Sequence, residues 1–391
     1  MVALFVIRWR ARKKDKMIYF DNAATTKYKP ETVYDSFNYY IREIGVSPGR
    51  GSYRIGIEAS RMLFKSRKTV GTYFGCPNVT SIVFTKNSTE AINMFFNSVL
   101  KKGNHVIISP YEHNAVLRPL HYLKENGMID YSIIDRNDLN KNSDYILNKY
   151  AKSNTKLLAM TLASNLTGRI IFNSDLYYAA HKKGIITFVD SSQGAGKIRL
   201  NMKDDNIDYL AFTGHKDLLS LPGVGGLCCS DETLIKPLIQ GGTGIHGEEY
   251  TNPNIFPEGL ESGTLNMPAI WSLKNSIDYI CENYEVIRSK EKELFNKLID
   301  GLQCIEKVII YDKEWLGVPT VGINYKGMAS NVFVKYLDDN GICVRGGIHC
   351  AIIAHESLNT VETGVVRISL NYMNSINEID ELIDVIKKLE K

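Results

Sequence analysis

The sequence holds no Cys-x-x-Cys pair, no long apolar run at its start and little net charge. Its cysteines stand at 76, 228, 229, 281, 304, 343 and 350. An odd, scattered set in a chain without an export signal argues against a disulfide framework and for reduced thiols in the cytoplasm. His349 and His355 lie near Cys350, but no second cluster at ligand spacing completes a zinc site, so no metal is expected. The formal charge is +4, much of it from the opening "MVALFVIRWRARKKDK". That balance leaves no nucleic-acid footprint. The apolar part of the opening is about seven residues, too short to span a bilayer, and its basic residues follow the apolar ones, the reverse of a secretory signal. Neither membrane nor nucleic acid is therefore an expected partner. Residues 1–16 read as a disordered basic arm, or as an upstream start preceding one at Met17. No spaced-glycine turn and no Gly-Lys-Ser/Thr loop follows a strand-like run, which disfavours a nicotinamide or nucleotide site.

What is present is ordinary globular composition, 44 % apolar and 23 % charged, in 391 residues, long enough for a large unit and a smaller companion. From "SIVFT" (81–85) to "GGLCCS" (225–230), short β-branched runs alternate with helical patterns. That order predicts an α/β fold with a mostly parallel sheet covered on both faces, and ligands at the carboxyl ends of its strands. After about residue 270 the pattern changes. A long helical stretch over 267–303 leads into a smaller α+β unit. The expected division is a large domain over 17–270 and a small one over 271–391, with the glycine-containing, polar segment 17–60 crossing the first or joining the second.

The residues just past each strand carry the candidate chemistry. Lys86-Asn87-Ser88-Thr89 opens a helix, where free amides and hydroxyls make either an anion site or a plain cap. His113 and Asn165 sit on loops leaving strands. Asp190 ends the apolar run "IITFV", where a carboxylate is costly unless paired. Lys216, in "FTGHK", stands near the same sheet edge and is costly in the same way. Together they match pyridoxal 5′-phosphate, which needs a lysine for its aldehyde, an acid for its ring nitrogen and anchors for its phosphate. Lys216, Asp190 and Ser88/Thr89 are those groups. Arg367, in "GVVRISL", either binds a carboxylate or snorkels from a sheet edge, and Arg345 either lines the pocket or is structural.

In order along residues 18 to 380, "YFDNAATT", "SPGRGS", "TKNSTEAIN", "SPYEHNAVLRP", "SNLTG", "VDSSQ", "FTGHK", "GGTG", "ESGTLN", "RGGIHCA" and "VRISLNYMNSINEID" resemble the cysteine desulfurases of the class V aminotransferase fold, a group that also contains selenocysteine lyases. The resemblance implies a pyridoxal-phosphate enzyme of fold type I. It implies Lys216 as the residue bonded to the cofactor and His113 stacked on its ring. Asp190 would pair with the ring nitrogen, and Gln193 would touch the phenolic oxygen with Asn165 close by. Ser88, Thr89, Thr213 and His215 would hold the phosphate. It implies a homodimer in which Thr264 reaches the partner's phosphate, and it suggests that Arg50 reaches a neighbouring site. Arg367 would grip the carboxylate of L-cysteine or L-selenocysteine.

The implied reaction gives L-alanine. Lys216 moves the α-proton, and the Cys350 thiolate takes the sulfur as a persulfide, with His349 nearby to help form that thiolate. A sulfur-acceptor protein would then draw the persulfide off. A selenocysteine lyase, another class V transaminase or lyase, or a non-catalytic scaffold remain alternatives at this point, as does the destination of the sulfur. The sequence departs from the family pattern at Ser191, Ser192, Asp217, Ser220 and Ser262, and by lacking a proline after "HCA". Only seventeen positions separate Cys350 from Arg367, which implies a short, sheltered loop and weak basal activity without an acceptor or reductant.

Overall fold

The alternating pattern becomes a seven-stranded sheet and the tail a four-stranded one. The structure is a computed structural model that describes residues 17–49, 51–78, 81–315 and 317–390. The 1–16 arm and Arg50 lie outside the described residues.

The described residues open with β1 (Ile18–Tyr19), α1 (Glu31–Tyr39) and α2 (Arg54–Phe74). The large sheet follows. Its elements are β2 (Ile82–Thr85), α3 (Ser88–Val99), β3 (Asn104–Ile108), α4 (Asn114–Glu125), β4 (Ile129–Ile133), α5 (Ser143–Tyr150), β5 (Thr155–Thr161), α6 (Ser174–Lys182), β6 (Ile186–Asp190), β7 (Tyr209–Thr213) and β8 (Gly225–Cys229). Their order across the sheet is β2-β8-β7-β6-β5-β3-β4. All neighbours are parallel except those of β8, which runs antiparallel to both β2 and β7. The carboxyl ends of β2, β3, β5, β6 and β7 therefore share one edge.

Alternation along the strands sends residues to two covered faces. On one face Phe95 of α3 stacks on Phe188 of β6 at 4.7 Å and meets Tyr209 of β7 at 4.5 Å. On the other, Phe74 of α2 lies 5.5 Å from Phe212 of β7. Such ring pairs add ~0.5–1.5 kcal/mol each beyond their burial. The helix α2 falls partly in a stretch that promised few core residues. Ala59, Met62, Ser66, Val70 and Phe74 are among its buried positions, spaced to lie along one helical stripe.

The 37-residue α7 (Met267–Gln303) is capped by Asn266 and has proline in its first turn. At 1.5 Å per residue it is roughly 55 Å long, enough to serve two cores. Ile270, Leu273 and Ile277 pack in the core that contains Phe212 and Leu158. Leu294, Leu298 and Leu302 pack in a separate one with Val321, Ile368 and Leu382. That second core is built on β9 (Val308–Tyr311), β10 (Thr320–Tyr325), α8 (Ser330–Asp339), β11 (Ile342–Cys343) and β12 (Arg345–Gly347) and, past α9 (Ile352–Leu358), whose Ile353 and Ala354 pack in the cores of the large sheet, on β13 (Val365–Ser369) and α10 (Ile376–Lys387). Its sheet order is β12-β13-β10-β9, antiparallel throughout. Ser375 and Glu378 form a reciprocal capping box that starts α10.

The N-terminal residues join this second core. β1 pairs with β11, and Ile18 and Phe20 are buried among its side chains. A few residues later the same segment touches the first unit: Thr26 N donates to His215 O, and Thr26 Oγ1 to Lys216 O at 2.8 Å. Among the described residues no helix is long and apolar enough to cross a membrane, and no His/Cys/Asp/Glu group has metal-binding geometry.

Candidate active site

At the end of β2, Asn87 caps α3 by accepting from Glu90 N at 2.9 Å. Ser88 is buried at the first helical position and Thr89 is exposed beside it. The first-turn amides have no partners within the helix and point past its end. The backbone is crowded here: a Cβ on Gly225 of β8 would lie 2.6 Å from Phe212 O and 2.7 Å from Asn87 C. Glycine is what lets β8 pass under the cap.

His113 caps α4. Its Nδ1 accepts from Ala115 N at 3.0 Å, so the neutral ring carries its proton on Nε2. Burial, aided by the charge of Lys216, pulls the imidazole down to about 4, and it stays neutral at physiological pH. One residue earlier, Glu112 is wholly buried. Ser109 Oγ donates to its Oε1, as does Thr161 N at 2.8 Å, and Oε2 has no partner.

Burial pushes the Glu112 carboxyl up to about 8 against those hydrogen bonds. The unfolded chain ionises it near its ordinary 4.5, so between the two values the folded state holds the extra proton. Stability contributed by this group therefore falls as pH rises through that window, by on the order of 5 kcal/mol over its full span. Glu112→Gln keeps an acceptor for Thr161 N and cannot ionise. Urea unfolding from pH 5 to pH 8 should show a shallower loss of stability in the variant than in the parent. Equal slopes would count against a buried protonated acid.

Asp190 ends β6 and is buried. Ser192 donates to its Oδ1 from N at 3.0 Å and from Oγ at 2.5 Å. Gln193, in the same turn, gives its amide to Ala23 O at 2.8 Å. Thr213 ends β7, with its hydroxyl buried and without a partner. His215 contacts Thr25 Oγ1 through Nδ1 at 3.1 Å, and burial takes its ring down to about 4. Lys216 follows. Burial lowers its amine below the ordinary lysine value; Asp190 and Asp217 pull it back, while Arg367 and Arg345 press it further down.

Arg367 of β13 is 2 % exposed. Its Nη1 donates to Asn165 O at 3.0 Å, its Nη2 pairs with Asp21 Oδ1 at 2.5 Å, and its Nε is unpartnered. Arg345 of β12 is its register partner, which puts both guanidiniums on one face of the small sheet. Asn165 donates from Nδ2 to His349 O at 2.7 Å, leaving its buried Oδ1 without a partner.

His349 and Cys350 both have left-handed backbones, φ 52 and 56, a conformation costing about 1 kcal/mol or more for a residue with a Cβ. Three bonds hold them there: Asn165 to His349 O, Asn114 N to Cys350 O at 2.8 Å, and His349 Nε2 to Val365 O at 2.8 Å. Burial and the Arg367 charge take the His349 ring down to about 3. Its Nε2 is on Val365 O and its Nδ1 is unpartnered, so His349 brings no positive charge to a Cys350 thiolate.

Cys350 is half-buried where two cavities meet. One, of about 460 Å³, also has Thr89, His113 and Arg118 in its wall. The other, of about 820 Å³, runs outward past Tyr122, Tyr131 and Ile352. Thr264 is placed apart from these groups, exposed on the segment between β8 and α7.

Asp21 and Glu112 were not singled out from the sequence, and Ser192 only as a departure from the family pattern, yet they fix Arg367, the loop before His113 and Asp190. Only the Glu112 position carried a local signal, an acid beside a loop histidine just past a strand. The site suits pyridoxal phosphate on its own terms. The buried Thr213 hydroxyl and the Asn165 oxygen lack partners, the α3 amides await an anion, and a buried acid and a buried amine share the cleft.

Residues 18–382 match the family model described as aminotransferase class-V. A probable cysteine desulfurase of Methanothermobacter thermautotrophicus is 30 % identical, over 95 % of this chain and 94 % of its own. One from Pyrococcus abyssi is 29 % identical, over 96 % and 95 %. The apo cysteine desulfurase of Thermococcus onnurineus superposes with a TM-score of 0.85 at 29 % identity, over 95 % of this chain and 94 % of that one. A NifS-like protein does so with 0.82 at 26 %, over 96 % and 99 %.

Proposed function

We propose, from the premise that this chain belongs to the aminotransferase class-V family, that it is a cysteine desulfurase, turning L-cysteine into L-alanine and passing the sulfur to Cys350. One observation carries the reading. Asn165 ties the Cys350 loop to Arg367, through His349 O and through its own carbonyl, so a sulfur acceptor and a carboxylate-binding arginine flank one cleft. A transaminase would leave Cys350 without a task.

Pyridoxal 5′-phosphate, when bound, supplies the sink for electrons released at the substrate's α-carbon. Ser88, Thr89, Thr213 and His215 would hold its phosphate, His113 and Asn165 would flank its ring, Asp190 would face the ring nitrogen, and Gln193 the phenolic oxygen. Lys216 would bond it and is the proton carrier. Burial favours the neutral amine, the form that can take a proton. Arg367 orients the substrate carboxylate with a planar donor pair.

Cys350 Sγ attacks the substrate sulfur. The S–S bond forms as the carbon–sulfur bond breaks, its electron pair stays with carbon, and a proton returned by Lys216 completes alanine. L-cysteine and a thiol thus become L-alanine and a protein persulfide, with no outside oxidant. A thiol or an acceptor protein then removes the sulfur through the outer cavity.

Exposed Phe64 lies at a cavity beside the Thr264 segment, a surface that a second copy of the chain would cover in a homodimer. Gly263 and Leu265, flanking Thr264, line one cavity with Phe64, which is consistent with Thr264 serving the partner's site. The test of the function is an assay of cofactor-loaded protein with L-cysteine and, in parallel, L-selenocysteine. Alanine and sulfide should appear in equal amounts when a thiol reductant is present. Alanine formed from L-selenocysteine alone would favour the lyase, and amino transfer dependent on a keto acid would sink both.

A further inference from the structure

Four charged side chains lie behind Lys216, and the reaction above uses none of them. Asp217 follows Lys216 directly. Its Oδ2 accepts from Gly194 N at 2.7 Å, and its Oδ1 lies 3.5 Å from Lys197 Nζ. Lys197 Nζ also pairs with Glu291 of α7, whose second oxygen takes Arg288 Nη1 at 2.8 Å. Lys197, Asp217 and Glu291 are 4 %, 7 % and 1 % exposed. Burying ions costs several kcal/mol each, and apolar side chains often fill such space at no loss of stability. Cohesion alone is thus a weak reason to keep them.

Their placement is more specific. Gly194 follows Gln193 in the turn that also begins with Asp190, so the Asp217 carboxylate clamps the β6 turn to the β7 turn. The two turns touch: a Cβ on Gly196 would lie 2.1 Å from Asp217 O. Lys197 faces Asp217 from the far side, and Glu291 holds Lys197 to the helix that spans both cores.

We propose that Asp217 is a positioning residue for Lys216, locking the two turns together and setting a negative charge beside the amine that Lys197 balances from behind. This rests on the role given to Lys216 above. The other charges facing Lys216 are Asp190 of β6, Arg367 of β13 and Arg345 of β12. The His113 and His215 rings complete its surroundings. Loss of the Asp217 charge therefore makes the nitrogen easier to deprotonate, and loss of the Lys197 charge makes it harder.

The test is a pH titration of the visible absorption of cofactor-loaded protein, in which the cofactor is bonded to Lys216. In Asp217→Asn, which still accepts from Gly194 N, the midpoint should fall by about half a unit or more. In Lys197→Met it should rise, and the double variant should return toward the parent. Asp217→Glu, which keeps the charge, should leave the midpoint in place. A structural role alone predicts no opposed shifts, so single variants that move together, or not at all, overturn the proposal. Should Asp217→Asn fail to fold, Lys197→Met decides: an unmoved or lowered midpoint overturns it. A parent protein with no visible band would overturn the cofactor reading beneath it.

Discussion

Lys216→Ala should form alanine from L-cysteine at least ~10³-fold more slowly than the parent protein. No other side chain in the cleft can replace the amine. His113 uses Nδ1 to cap α4 and sits with its ring depressed to about 4. His215 is bound to Thr25 and depressed equally, and Arg367 stays protonated. Both rings are neutral, and neither carries the primary amine that burial holds toward its neutral, proton-accepting form in Lys216. Lys216→Arg keeps the charge and should be equally inactive. Borohydride reduction should fix cofactor to the parent and not to Lys216→Ala. Activity of the alanine variant within tenfold of the parent would remove Lys216 from the mechanism.

Cys350→Ala is the second large effect. Release of sulfide from L-cysteine should fall by at least ~10²-fold, with alanine falling in step, because the sulfur then has no thiolate to accept it. Alanine from L-selenocysteine should fall less, since selenide leaves carbon more easily without help. The loop around Cys350 makes the result interpretable. It is held by Asn114, Asn165 and the His349 ring rather than by the thiol, so removing Sγ should leave Arg367 and Asn165 in place. Cyanolysis of the parent after one turnover should release one thiocyanate per chain from the persulfide, and none from Cys350→Ala. Full sulfide release by the variant would refute Cys350 as the acceptor.

The strand-helix order was legible because each buried strand is a short apolar run whose end is marked by a polar residue: Thr85, Asp190 and Thr213 each end a strand of the sheet. The long α7 was legible from sustained helical periodicity. By contrast, α2 was obscured because Arg, Lys, Ser and Gly occupy nine of its 21 positions, and its apolar stripe has a meaning only once a sheet lies beneath it. The direction of β8 was also hidden. "GGLCC" is equally apolar in either orientation, and only pairing with β2 and β7 makes it antiparallel.

For the site, the sequence by itself determined the reactive groups: a lysine and an acid at strand ends that burial would penalise without a ligand, a histidine on a strand-exit loop and a thiol after a glycine pair. Tertiary structure decided their partners and their charge. Asp21, which lies 346 positions from Arg367, is its ion-pair partner, and residues 21–26 touch both His215 and β13. His349 stands next to Cys350 in sequence, yet its ring bonds Val365 O and is neutral. Burial and hydrogen-bond direction depend on what packs around a residue, and neither is written in its neighbours along the chain.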